Sequence, residues 1–120
     1  MDEAARERVL AQPLKRFTPH TVTDPDKLRI ELGVIRTRGY SIDDQEMVLG
    51  VFCVGMPIVD RLGRPVGAIS ISGPSPKAEG PELQPLVDML AEATGKVSRR
   101  LGYAGPWPPV HVVHVLEAVN

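Results

Sequence analysis

The sequence predicts an α+β domain, an antiparallel sheet with helices packed on it. Three observations lead there. Apolar residues recur near every 3.6 positions up to Gly39 and near every 2 beyond it. Two alternating apolar runs then bracket a short polar turn, and a Pro/Gly-rich loop gives way to a long amphipathic helix.

The first element is a helix from Asp2 to about Gln12, with acids in its first turn where the helix dipole favours them; Pro13 stops it. Phe17 to Thr23 mixes turn formers with β-branched residues and reads as a loop or short extended piece. The second helix is better signalled. Asp24 can cap it, Pro25 suits its first position, and Leu28, Leu32 and Ile35 make one apolar stripe. Arg29, Arg36 and Arg38 lie off that stripe, and Gly39 suits the position just past the end.

Tyr40 to Asp43 fits a short strand. Val51 to Asp60 and Val66 to Gly73 bracket the turn Arg61-Leu62-Gly63-Arg64, the signature of a β-hairpin. Gly73 to Pro81 is a loop. A helix from about Glu82 to Leu101 follows, with Leu83, Leu86, Leu90, Val97 and Leu101, joined by Val87 and Thr94, as its core-facing stripe. Gly102 ends it, and Gly105-Pro106-Trp107-Pro108-Pro109 excludes regular structure. Val110 to Val119 fits a strand or a tail equally well.

The hairpin carries the chemistry. Pairing Asp60 with Pro65 sets Cys53 opposite Ser72 and Gly55 opposite Ser70. Side chains alternate along a strand, so Cys53, Ser70 and Ser72 emerge on one side. Phe52, Val54, Met56, Ile58, Ile69 and Ile71 emerge on the other, as a core face. The first face offers small side chains with hydrogen-bonding tips. It suits either a plain solvent-facing sheet side or one wall of a concave polar pocket.

Composition narrows the function classes. At 120 residues the chain fits one core, and its 42% hydrophobic and 24% charged residues are those of a soluble globular domain. A net charge of -1 gives no field to draw it to phosphate backbones. The stretch Met47 to Val59, broken by Gly50, Gly55 and Pro57, falls short of the ~20 residues that cross a bilayer. One cysteine excludes an internal disulfide, and an acidic start at Asp2 and Glu3 does not resemble a secretory signal, so the cytoplasm is the expected compartment.

Four blocks of sequence carry a resemblance. They are Phe17 to Asp24 (FTPHTVTD), Arg38 to Glu46 (RGYSIDDQE), Cys53 to Asp60 (CVGMPIVD) with Gly63, and Gly67 to Pro74 (GAISISGP). In this order and spacing the chain, from about Asp2 to Gly102, resembles the effector-binding domain of IclR-type (isocitrate lyase regulator) transcription factors. The resemblance implies a GAF-like, profilin-like fold and an effector site using an aspartate, a cysteine and two serines, which fall on Asp43, Cys53, Ser70 and Ser72. Val51 matches an apolar wall position, and Asp43 would hydrogen-bond or gate at the pocket mouth. Family members begin with a winged helix-turn-helix, then strands and a Gly/Ala-rich loop whose amides help hold a ligand carboxylate; that portion would precede Asp2. Residues 1–104 are therefore expected to be a partial effector domain lacking its first strands, and residues 105–120 a Pro-rich tail.

Sharper chemistry is weighed against this. Cys53 as a nucleophile needs a nearby base or cation to lower its pKa from about 8.5, and no histidine is near it in sequence. His111 and His114 lack a third metal ligand, and on a strand their spacing sends them to opposite faces. Asp43, Asp44 and Glu46 have oxygen ligands for a cation, but a solvated acidic loop accounts for them. His20 reads as a locally bonded loop residue, and Arg99-Arg100 complement a helix C-terminus. The expectation is no catalysis, no cofactor and no metal. The expected partners are a small organic acid effector and further copies of the chain in a homo-oligomer, with neither membrane nor direct nucleic-acid contact. A different class remains open: an interaction module, or a remnant without ligand binding, associating through an unpaired sheet edge.

Overall fold

The computed structural model describes residues 3–74 and 80–109. They form α1 (Glu3–Leu10), α2 (Pro25–Arg38), β1 (Ser41–Asp44), β2 (Val51–Val59), β3 (Pro65–Pro74) and α3 (Leu83–Arg100). The strands make one antiparallel sheet in the order β1-β2-β3. The α+β expectation is met. Val110 to Val119, with His111 and His114, lies outside the described residues, as do residues 75–79 of the loop.

The second helix starts and stops where the sequence placed it. The Asp24 carboxylate accepts from the Asp26 N–H at 2.9 Å, and Pro25 opens the first turn. Gly39, at φ 93°, donates its N–H to the Ile35 carbonyl at 2.7 Å, a left-handed closure that glycine adopts without strain. The stripe of Leu28, Leu32 and Ile35 is half-buried, whereas Ile30 is 70% exposed. Helix α1 is fixed to α2 by a fork: Arg29 Nε and Nη2 reach the two Glu7 oxygens at 2.9 and 2.8 Å. That hydrogen-bonded arginine holds the Glu7 carboxyl below the ordinary carboxylate range. The pair is at the surface and sets geometry more than stability.

One face of the sheet is the core. Phe52, Val54 and Met56 of β2 bury fully against Val87 and Leu90 of α3, with Ile69 and Ile71 of β3 packed at their side. Phe52 lies across from Gly73, where an added Cβ would stand 3.0 Å from its ring. Glycine there lets the large ring pack onto the neighbouring strand.

Two expectations need correction. Val97 and Leu101 are 38% and 46% exposed, and the buried line of α3 runs instead through Val87, Leu90, Thr94 and Ser98. The helix keeps its 3.6-residue period over the sheet, so the buried line drifts off the near-heptad positions Val97 and Leu101, while Trp107 covers the helix at Gly95. Second, Val59, not Asp60, stands opposite Pro65, with a bulge-type register shift between Ile58 and Val59. Asp60 closes the turn: its Oδ1 accepts from the Leu62 and Arg64 N–H groups, both at 2.9 Å. Such a local bond competes with the ladder and takes Asp60 out of it.

At the bulge the buried Val59 N–H donates to Ser98 Oγ at 3.0 Å, joining sheet to helix. Replacing Ser98 by Ala orphans that donor, and urea denaturation is expected to show a loss of about 1–3 kcal/mol. Thr94→Val should cost less, because the single Thr94 hydroxyl hydrogen donates to the Leu90 carbonyl at 2.7 Å, with the Met56 sulfur as the alternative acceptor, and its removal orphans no donor. An equal or larger loss for Thr94→Val would refute this account of the helix-sheet joint.

Candidate functional site

The second face of the sheet carries the polar groups. Across its three strands Asp43, Cys53 and Ser72 stand in one row, and Ser41, Gly55 and Ser70 in the next. Neighbouring strands are about 4.8 Å apart and successive rows on one face about 7 Å apart, so the six positions fill a patch of about 10 by 7 Å. The register thus brings Asp43, Cys53, Ser70 and Ser72 together. Val51, 37% exposed, lies one step further along the same face of β2, across from Pro74.

Local bonds hold the patch. Cys53 Sγ and Ser72 Oγ are 3.1 Å apart, a hydrogen bond in which either atom can donate. Asp43 Oδ1 accepts from the Glu46 N–H at 2.8 Å, which leaves its second oxygen free of that bond. Gly55 makes room: a Cβ there would lie 2.9 Å from Ser41 Oγ. Ser70 and Ser72 are exposed at the outer strand, and no further strand pairs with β3 among the described residues. The patch is therefore an open wall.

Two further features were not legible beforehand. Ser41 completes the second row; it could have been found by extending the hairpin register to the short strand. The Thr-Pro-His-Thr loop is a brace. Thr21 Oγ1 accepts from the N–H groups of Phe17 and Thr18 at 3.1 and 3.0 Å and donates to the Glu46 carbonyl, while Thr18 Oγ1 donates to the Gln45 carbonyl. These bonds fix the β1–β2 connection, where Gln45 adopts φ 62°, and so aim Asp43 and Glu46. The paired threonines were the available signal.

The electrostatics are one-signed at this end. Burial, then the charges of Asp43 and Glu31, raise the Glu46 carboxyl above its ordinary value of 4.5. No group of three His, Cys, Asp or Glu side chains is placed to hold a metal among the described residues. None of their helices is long and apolar enough to cross a membrane. The arrangement sets hydroxyl and thiol donors beside a carboxylate acceptor.

Comparison with known proteins gives the same fold and places it. Residues 1–99 match the family described as bacterial transcriptional regulator IclR C-terminal. The chain is 39% identical over 85 residues to the HTH-type transcriptional regulator BhcR of Paracoccus denitrificans, covering 71% of this chain and 30% of that one. It is 36% identical over 89 residues to the HTH-type regulator KdgR of Escherichia coli, covering 74% and 34%. The chain thus spans about a third of the length of these relatives, which are named as regulators and not as enzymes. Among solved structures, Thermotoga maritima IclR superposes with a TM-score of 0.75 at 42% identity, covering 82% of this chain and 40% of that one. The C-terminal domain of E. coli KdgR superposes with a TM-score of 0.79 at 33% identity, covering 86% and 63%.

The Glu46 shift has a pH signature. A carboxyl whose folded value is raised binds its proton more tightly in the native state, so its cost is absent below 4.5 and grows as pH rises through the shifted value. Glu46→Gln is expected to stabilise the chain at neutral pH and to have little effect well below the ordinary carboxylate value. Denaturation curves at the two pH values test this; an equal effect at both would place the cause elsewhere.

Proposed function

The chain belongs to the IclR C-terminal family of bacterial transcriptional regulators, and from that premise we propose that it senses a small carboxylate on the face built by Asp43, Cys53, Ser70 and Ser72. The observation that carries the reading is the shared row of Asp43, Cys53 and Ser72, beside the Ser41, Gly55 and Ser70 row. Serine hydroxyls and a thiol can donate to a carboxylate or a keto oxygen. Two like charges about 5 Å apart repel by about 1–3 kcal/mol at the dielectric of a protein surface, so the ligand's carboxylate belongs on the Ser70 row. Its keto or hydroxyl end then meets Cys53, Ser72 and Asp43. One row spacing between the two ends suits an acid of two to four carbons; an aromatic acid would reach on to Val51.

The chain covers 63% of the KdgR C-terminal domain, and a full sensor would close the open wall with the remaining part of such a domain. In a complete regulator the ligand would shift the arrangement of copies in a homo-oligomer, and with it DNA occupancy. It can do so only by binding two arrangements with different affinity. DNA contact itself would fall to a winged helix-turn-helix outside this chain.

A second reading is favoured by one observation. The outer edge of β3 runs ten residues without a charged side chain and without a neighbouring strand among the described residues. Such an edge associates with other chains. Light scattering tests the edge: a strictly monomeric chain counts against this alternative.

Thermal melts of the full chain with pyruvate, 2-oxobutyrate and benzoate test the sensor reading. An acid present at a hundred times its Kd should add about 2.7 kcal/mol of stability. Ser70→Ala with Ser72→Ala should abolish the gain. No rise in Tm with any of these acids, or a pyruvate or 2-oxobutyrate rise that the double variant retains, would end the proposal.

A further inference from the structure

We propose that the groove between α2 and the turn end of the β2–β3 ribbon is a second small-molecule site, for an organic monoanion with an apolar body. It encloses about 650 Å³, inside the range of about 300–1,000 Å³ that small ligands occupy. Its walls are apolar: Leu32 and Ile35 of α2, Pro57 and Val59 of β2, with Pro65 and Tyr103 at the rim. Arg6, Arg36 and Arg64 reach it, and no acidic residue is among the described residues that line it.

The three arginines are not equivalent. Arg64 is neutralised by Asp60 at 3.0 Å. No described acidic residue ion-pairs with Arg36, which projects from the last turn of α2. Arg6 has only distant acids, Glu3 at 3.9 Å and Glu7 at 3.8 Å, and both Glu7 oxygens are already held by Arg29. Its Nε is buried with no hydrogen-bond partner. An orphaned donor on a charged group is costly, and an anion in the groove supplies the acceptor it lacks.

The walls decide what kind of anion. An inorganic anion would satisfy the guanidinium groups but leave the apolar walls against water. A carboxylate on a hydrophobic frame uses both, and a flat frame can also stack on a guanidinium plane. Pro57 is one row, about 7 Å, beyond the Gly55–Ser70 row, and the groove shares no lining residue with the Cys53 patch, so the two sites are distinct. The inference stands whether or not that patch binds an acid.

Titration calorimetry of the full chain with 2-naphthoate tests it, with uncharged 2-naphthamide as control. Saturable binding of one 2-naphthoate is expected in the millimolar range or tighter. Losing one charge-assisted hydrogen bond should weaken it about tenfold in Arg36→Gln, and 2-naphthamide should lose at least as much. Cys53→Ala with Ser72→Ala should leave the affinity unchanged. Arg6→Gln should match Arg36→Gln; should it fail to fold, Arg36→Gln carries the test alone. Absence of saturable binding, equal affinity for the amide, or binding lost in the Cys53/Ser72 variant and kept in Arg36→Gln would each overturn the proposal.

Discussion

The antiparallel register of β2 against β3 is what the other placements depend on. Side chains alternate with a period of 2, so a slip of one residue would turn Phe52, Val54 and Met56 to the open face and bury Cys53 and its neighbours. Several contacts forbid that slip. The Phe52 ring fits only across from Gly73, because any side chain there would meet it. The Asp60 carboxylate sets the turn length by gathering the Leu62 and Arg64 N–H groups. Ser98 takes the one buried donor that the bulge releases. Core packing, turn chemistry and a helix hydroxyl all specify the same pairing. Consistency of that kind makes a short ribbon adopt a single register.

Much of this was legible in the residues, and the reasons differ by element. The bounds of α2 were readable because Asp24, Pro25 and Gly39 act on backbone groups within a turn of themselves. The face shared by Cys53, Ser70 and Ser72 was readable from period-2 alternation, although the turn pairing was one residue off: the bulge beside Val59 shifts the ladder by one and so restores the expected rows from Ile58 onward. Val97 entered the expected stripe on a near-heptad spacing, but a straight helix drifts off a seven-residue repeat, and the buried line passes through Thr94 and Ser98 instead. The brace from Thr18 and Thr21 to Gln45 and Glu46 joins segments some 25 positions apart, for which no local period exists. The arginine groove was invisible for the same reason. Arg6, Arg36 and Arg64 come from three elements, and only the fold makes them neighbours.

The two ends of β2 are opposite in charge, and this bears on how an acid could lie on the sheet. At one end Asp43 and Glu46 crowd together, close enough that Glu46 holds its proton more tightly than an ordinary carboxyl. At the other, Arg36 has no acidic partner among the described residues, and Arg6 meets only Glu3 and Glu7, at 3.9 and 3.8 Å. An acid resting on the Cys53 patch gains by pointing its charge away from Asp43, which is also toward the arginines. The Coulomb term therefore orients it along β2 rather than across the sheet. Two unit charges about 13 Å apart interact by about 1 kcal/mol at an effective dielectric of 20, and by less where salt screens them. That is enough to select an orientation and too little to hold a ligand. An acid bound at either end would need direct contacts as well: hydrogen bonds from Ser70, Ser72 and Cys53 at one, guanidinium groups and apolar walls at the other. Strand β2 is backed by a fully buried Phe52, Val54 and Met56, and a packed core does not yield gradually. Any influence of one end on the other, through this strand or through the field between them, must be equal in both directions.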